Sequence, residues 1–351
     1  MKNFSKDLLK WYKIMNFQMP WRKIKDPYKI WISEIMLQQT QVKTVTPYFK
    51  SWIKKYPTIK KLSKAKRDDI LKIWEGLGYY QRAHNIHETS KNIVDNYNGK
   101  IPTNYDLLMK LKGIGDYTAS AILSMAFNQK YAAVDGNIKR IISRVKKINN
   151  ISNLHDESKS SILEFMTTSN ASDLNQALMD LGREVCKPRN PLCQVCPINK
   201  YCLAYKSDTV NQFPVSIKGK TKPIYNVIVG FIWNSNKKIL ISKRKNKGLL
   251  GGMWELPGGK KKKQETNINC IKREIKEELN IDISVGKRIG KIKHQYSHFG
   301  INLTAYHCYY EKGKIKPLES EKIAWISYND IYKFAFPSAT HKIFKLYNSY
   351  E

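Results

Sequence analysis

The stretch Leu111–Arg140, LKGIGDYTASAILSMAFNQKYAAVDGNIKR, decides how the first half of the chain is read. Its opening, Leu111-Lys112-Gly113-Ile114-Gly115-Asp116, places two glycines one residue apart just before a helical run from Tyr117 to Phe127. Glycine has no Cβ, so the backbone can turn sharply there and lie close against a ligand. The unpaired N–H groups of such a turn and of the helix start suit a phosphate, in a contact that reads no base sequence. Two glycines alone are equally compatible with an ordinary turn between core helices. Further on, Ala133-Val134-Asp135-Gly136-Asn137 opens a second helix whose apolar positions Ile138, Ile141, Ile142 and Val145 keep helical spacing. Asp135 stands at the N-cap, where its carboxylate stabilises the helix by about 1 kcal/mol. The same bonds are expected to lower its pKa and hold it ionised, as a group facing a cationic transition state requires.

Charge narrows the partner. The 351 residues hold 62 Lys+Arg against 29 Asp+Glu, a net charge of +33, and the length suits two domains. Lysines that neutralise phosphates supply most non-specific affinity for nucleic acid, so a polyanionic partner is expected. A chain rich in Lys, Asn, Ile and Tyr throughout would gain some basicity by compositional drift alone. No stretch is apolar enough to cross a membrane, and the N-terminus lacks a secretory apolar region. A cytoplasmic protein with no membrane partner is expected. Four of the six cysteines fall between Cys186 and Cys202, a metal-cluster pattern rather than a disulfide framework. Cys270 and Cys308 stand alone as small apolar residues.

Residues 1–205 read as helical throughout. Pro27, following Asp26, sits at a natural first helical position, so a helix from Pro27 carries Glu34 in its third turn. The neighbours of Glu34 on that helix are Ile30, Trp31, Leu37 and Gln38, three of them apolar. A carboxylate so placed is desolvated, its pKa rises, and it can hold a proton for general acid work. With Asp135 it forms the acid and stabiliser pair used to break glycosidic bonds. In Trp74-Glu75-Gly76-Leu77-Gly78-Tyr79-Tyr80 a glycine-marked loop carries two tyrosines. Exposed tyrosines there suit stacking on or wedging between bases, and closing the core is an equally good role for one of them.

Cys186, Cys193, Cys196 and Cys202 give C-x6-C-x2-C-x5-C. Four soft ligands suit either tetrahedral zinc or an iron–sulfur cluster, and spacing alone does not choose. Residues 206–223 lose helical period and collect Lys, Ser, Gly and Pro, marking a linker. Beyond it Tyr225–Trp233, Lys238–Lys243 and Ile301–Tyr310 read as strands. Between them Gly259-x5-Glu265-x7-Arg273-Glu274-Ile275-Lys276-Glu277-Glu278-Leu279-Asn280-Ile281 puts Glu274, Glu277 and Glu278 on one helical face, a cage able to hold Mg²⁺ against a pyrophosphate.

WEGLGYYQRA (74–83), LQQTQV (37–42) and VDGN (134–137), taken together, resemble the adenine DNA glycosylases of the MutY type, within the helix-hairpin-helix DNA glycosylase superfamily. The resemblance covers nearly the whole chain. It implies an all-α helix-hairpin-helix domain over 1–205, with a [4Fe–4S] cluster on the four cysteines of the 186–202 loop. After the 206–223 linker it implies an α+β Nudix-like domain over 224–351, whose box matches at every fixed position except Asn280, where the family has Gly. Asn280 can take the left-handed turn in its place, which leaves a residual metal site at Glu274, Glu277 and Glu278 open.

The implied substrate is double-stranded DNA carrying adenine opposite 8-oxoguanine or guanine, bound by a monomer. The resemblance casts Glu34 as the acid that protonates adenine at N7 and Asp135 as the stabiliser of an oxocarbenium-like sugar, with Tyr117 and Asn137 in support. It sets Gly113 and Gly115 on the DNA backbone, Gln39 and Tyr79 in the duplex, Arg22 and Leu37 near the extruded base, and Tyr296, Ser297 and His298 on the lesion. Strand-cleaving relatives place a lysine where this chain has Tyr117, so a monofunctional enzyme is expected, with Lys112 aimed elsewhere. The rivals are an endonuclease III-like glycosylase and lyase, a Nudix pyrophosphohydrolase acting through 259–281, and a non-catalytic lesion-binding protein.

Overall fold

The structure, a computed structural model, describes residues 2–167, 170–215, 221–246 and 248–349. Part of the expected linker, residues 216–220, lies outside the described residues. The chain divides into two units whose segments interleave: Ala65–His84 groups with the chain after the linker, and the rest of the N-terminal chain forms the other unit.

The first part of the chain is helical, as the periodicity predicts. Its helices are α1 (Lys2–Met15), α2 (Pro27–Leu37), α3 (Val42–Lys55), α4 (Ile59–Ser63), α5 (Arg67–Trp74), α6 (Gln81–Tyr97), α7 (Tyr105–Met109), α8 (Asp116–Phe127), α9 (Gly136–Lys146), α10 (Leu154–Phe165), α11 (Ala171–Glu184) and α12 (Leu203–Lys206). Helices α2 and α8 are apolar nearly all round and pack against each other, as helices at the centre of a unit do. Asp26 caps α2 by accepting from Tyr28 N at 2.9 Å, with Pro27 opening the helix. That packing turns Glu34 of α2 towards the first turn of α8. Helix α11 lies against α1, α8 and α9. Where α11 meets α9 the residue is Gly182, and a Cβ there would sit 2.5 Å from that of Asn137. None of the described helices is long and apolar enough to cross a membrane.

The other unit is built on a mixed sheet of β1 (Ile224–Trp233), β2 (Lys238–Lys243), β3 (Trp254–Glu255), β4 (Gly258–Lys260), β5 (Asp282–Gln295), β6 (Gly300–Lys312) and β7 (Lys322–Ser327), flanked by α13 (Asn267–Leu279) and α14 (Ser338–Asn348). The path runs β3-β2-β1-β6-β5, with β4 also on β1 and β7 on β2. Strand β1 runs parallel to β6, from Ile224 opposite Gly300 to Trp233 opposite Tyr309. The two-residue period of β1 divides its side chains between two cores. Val229 and Phe231 join Phe344 and Tyr347 of α14 on one face. Ile228 and Ile232 join Ile271 and Ile275 of α13 on the other.

Candidate active site

One cleft of about 1020 Å³ opens in the helical unit, lined by Arg22, Glu34, Leu37, Gln39, Tyr117, Asp135 and Asn137 among others. Glu34 is 2% exposed, and Tyr117 donates a short hydrogen bond to its Oε2 from the first turn of α8. Burial drives the Glu34 carboxyl up from its ordinary value. Asp135 and Asp180 push the same way, and the Tyr117 bond and Arg22 oppose them. Low dielectric disfavours the charged form, so Glu34 is suited to hold a proton.

Asp135 caps α9 as predicted, Oδ1 accepting from Ile138 N at 2.7 Å. Its Oδ2 accepts from Asn137 Nδ2 at 2.8 Å. The expectation of a lowered pKa is corrected. Burial is the largest influence, and the Asp135 carboxyl is raised despite the bonds from Ile138 and Asn137 and the charge of Arg140. Cap bonds lower a pKa only when they outweigh desolvation. A cation forming in the cleft would restore the balance towards the ionised form.

Helix α11, where no site residue is expected from the sequence, supplies the far wall. Arg22 Nη2 donates to Asp180 Oδ1 at 2.9 Å, with side chains 8% and 2% exposed. Met179 Sδ lies 3.9 Å from the Tyr117 hydroxyl. An aspartate inside the apolar run Ala177-Leu178-Met179-Asp180-Leu181 was the available signal, because a buried charge demands a partner. Arg140 extends the floor, donating to Asn137 Oδ1, to Gly182 O and to Cys186 O, each at 2.8 Å.

The hairpin is anchored by Leu111 and Ile114, each 4% exposed, and Ile114 N closes it on Leu111 O at 3.1 Å. Gly113 has φ +79, and a Cβ there would meet the Asn85 side chain; a Cβ on Gly115 would meet nothing within 4 Å. Gly115 caps α8 without a side-chain bond. Lys112 turns away as expected and pairs with Glu88 at 2.8 Å.

Gln39 and Tyr79 share an unusual backbone. Both lie in the left-handed region, at φ 55 and φ 49, which costs energy for a residue with a side chain. Both are exposed, whereas Tyr80 is buried, its hydroxyl accepting from Gly76 N at 3.0 Å. One tyrosine of the pair therefore closes the core. Ser297 donates a short hydrogen bond to the Tyr79 hydroxyl. His298 is exposed, while Tyr296 is half-buried against Phe299 and His294.

Cys186, Cys193, Cys196 and Cys202 all line one apolar cavity with Ile141, Val145, Leu181 and Ile198. Arg144 of α9 donates to Cys186 Sγ at 3.2 Å and to Lys187 O at 2.8 Å. Among the described residues no group of three His, Cys, Asp or Glu is disposed to hold a single metal ion. Four cysteine thiols around one apolar cavity supply the donor set of a [4Fe–4S] cluster. The residues fit the cluster. On α13, Arg273 pairs with Glu265 at 2.7 Å, Glu274 at 2.8 Å and Glu277 at 2.9 Å. Glu278 accepts from Gly258 N at 3.1 Å, and Asn280 takes the left-handed turn at φ 57.

Comparison with known proteins agrees with this geometry. Residues 32–165 match the HhH-GPD superfamily base excision DNA repair protein family, 186–202 the iron-sulfur binding domain of endonuclease III, and 228–346 the NUDIX domain. The fold and site thus define a helix-hairpin-helix base excision repair protein with a [4Fe–4S] motif on Cys186, Cys193, Cys196 and Cys202 and a C-terminal Nudix domain. The adenine DNA glycosylase of Buchnera aphidicola subsp. Schizaphis graminum is 38% identical over 307 residues, covering 86% of this chain and 86% of its own. That of Homo sapiens is 27% identical over 405 residues, covering 98% of this chain and 74% of its own. A thermostable thymine-DNA glycosylase structure aligns with TM-score 0.53 at 30% identity, over 59% of this chain and 96% of that one. The chain belongs to the adenine DNA glycosylase family.

Proposed function

We propose that this protein removes adenine mispaired with 8-oxoguanine or guanine from double-stranded DNA by hydrolysing the N-glycosidic bond. The observation that carries the reading is the pairing, in one cleft, of a buried Glu34 held by Tyr117 with a capped Asp135 held by Asn137. Glu34 protonates the extruded purine at N7 and makes it a leaving group. Asp135 stabilises the positive charge that develops on the sugar. Tyr117 orients Glu34, and Asn137 orients Asp135.

Arg22 and Leu37 line the cleft where the base would lie. Gln39 and Tyr79, held in strained backbone, enter the duplex around it. Gly113 and Gly115 leave the hairpin backbone open to a phosphate. Tyr296, Ser297 and His298 form the loop that reads the opposite base. We assign base removal to residues 1–205, a linker to 206–223 and lesion reading to 224–351, in a monomeric cytoplasmic protein. The cluster would be held by the four cysteines and would brace the chain after α11. No step of base release runs through it.

Single-turnover base release from duplexes with adenine opposite 8-oxoguanine, guanine and thymine tests this reading. Release should be fastest opposite 8-oxoguanine, slower opposite guanine and slowest opposite thymine. Abasic product should accumulate, with strand breaks only after alkali, because the Tyr117 phenol cannot form the imine that strand cleavage needs. Failure to release adenine from any of the three would overturn it.

A further inference from the structure

The segment Ala65–His84 belongs to the sheet unit, and four of its side chains fasten it there. Asp68 meets Lys243 Nζ of β2 at 2.6 Å. Lys72 Nζ donates to Phe334 O at 2.9 Å. His84 Nε2 lies 2.9 Å from Gly251 O. Glu75, at the end of α5, makes the densest attachment. Its Oε1 accepts from Phe336 N at 2.7 Å and lies 2.7 Å from His341 Nε2, and its Oε2 lies 2.5 Å from Lys72 Nζ. Burial would raise this carboxyl, but the bonds from His341, Lys72 and Phe336 outweigh it and hold Glu75 below the usual carboxylate range.

Ending α5 does not require this side chain, because the backbone N–H of Glu75 already bonds Lys72 O. What begins at Glu75 is the tyrosine loop. Gly76 and Gly78 take φ of 91 and 77 freely, but Tyr79 at φ 49 does not, and a residue so held persists only where its surroundings over-determine it. Trp74 Nε1 and Arg82 Nη2 close on Gly78 O at 3.0 and 3.1 Å, while Ser297 holds the Tyr79 hydroxyl. The loop is thus fixed at its tip by the lesion loop and at its root by Glu75.

We propose that Glu75 is a positioning residue for Tyr79: its attachment to Phe336 and His341 makes the wedge loop and the lesion-reading sheet one body, so that the fit of the opposite base sets where the wedge enters. The inference rests on the reading above, in which Tyr79 enters the duplex.

The test measures single-turnover adenine release opposite 8-oxoguanine and opposite guanine in wild type, Glu75→Ala, His341→Phe and the double variant. The ratio of the two rates should fall about five- to tenfold in each single variant, a modest coupling between sites. The double variant should fall no further than Glu75→Ala, because the contact that His341→Phe breaks is one of those that Glu75→Ala already removes. Glu75→Gln, which can still accept from Phe336 N, should retain part of the ratio. An unchanged ratio, or an equal loss of both rates, would overturn the proposal. Amide hydrogen exchange over 76–80 gives a readout that needs no activity, and should quicken in Glu75→Ala. If wild type released no adenine while exchange quickened, the function would be wrong and the attachment right. Unchanged exchange in an enzyme that discriminates would sink the attachment alone.

Discussion

The molecule carries two groups of carboxylates that look alike in sequence and differ in company. Glu274 and Glu277 of α13 and Glu265 just before it share the guanidinium of Arg273, and Arg273 leads the influences that hold Glu265 down at about 2. In the helical unit Glu34 and Asp135 are buried and raised, while the nearest arginines serve other partners, Arg22 on Asp180 and Arg140 on Asn137. The difference teaches that burial without a dedicated cation makes a carboxylate available for proton chemistry, whereas a dedicated cation makes it part of the frame. Glu278 is instructive between the two. Burial and Glu255 push it up to about 8, yet its Oε2 is taken by the Gly258 N–H, so it braces helix to strand.

The strongest way to break this comparison is to remove the proton. Glu34→Gln keeps shape and hydrogen bonding but cannot deliver a proton, and should slow single-turnover adenine release by about 10²- to 10⁴-fold with duplex binding retained. Asp135→Asn should cost about 10²- to 10³-fold, the scale for losing one electrostatic stabiliser. Both variants should also be more stable than wild type at neutral pH. A carboxyl whose pKa is raised on folding binds more protons in the native state. Its contribution is fully present below the unfolded pKa and is lost as pH rises through the folded one. The gain in Tm of the amides should therefore be larger at pH 8 than at pH 5. A wild-type rate in Glu34→Gln would remove its assignment as the acid.

A smaller effect tests the Tyr117 bond. Tyr117 donates to Glu34 Oε2 and so favours the ionised acid. Tyr117→Phe removes that bond, which should raise the Glu34 pKa further. The alkaline limb of the rate, where Glu34 loses its proton, should move to higher pH. A shift to lower pH, or none, would mean that another group carries the limb.

Much of this was legible in the residues, and the rest was hidden for identifiable reasons. Helix α2 begins at Pro27 and α8 ends at Phe127 as read, because Asp26-Pro27 and the apolar periodicity are local signals. Strands β1 and β2 and the left-handed Asn280 were likewise visible. Strand β5 was not. It pairs with β6 alone and packs on α13 and α14, and its Lys287, Arg288, Lys291 and Lys293 break the apolar alternation that marks a strand. Asp180 went unseen because its partner Arg22 is remote in sequence. The sign of the Asp135 shift was misread because cap bonds are local while burial comes from α9 and α11 closing together. The grouping of 65–84 with the sheet depends on Asp68, Lys72 and Glu75 finding partners beyond the linker.

The smallest expected effect lies on α13, and its smallness is the point. If Arg273 makes Glu274 and Glu277 part of the frame, Glu277→Gln should leave adenine release within about twofold of wild type, as surface substitutions away from a site do. Arg273→Ala should act on stability and not on chemistry. Glu265 is held down at about 2, by Arg273 first and then by the Lys262 N–H. A carboxyl with a depressed folded pKa contributes stability that is present above its unfolded pKa and lost as pH falls through the folded one. Wild type should therefore lose Tm between about pH 4.3, the ordinary Glu value, and the acid end of the range. In Arg273→Ala that slope should flatten, because the two states would bind protons alike. Thermal melts from pH 6 to pH 3, run beside single-turnover assays, make the check. A flattened slope with unchanged base release keeps α13 structural. Hydrolysis of an oxidised nucleoside triphosphate by the full chain with Mg²⁺, at a rate that falls on Glu277→Gln, would instead place proton chemistry on both carboxylate groups and dissolve the contrast between them.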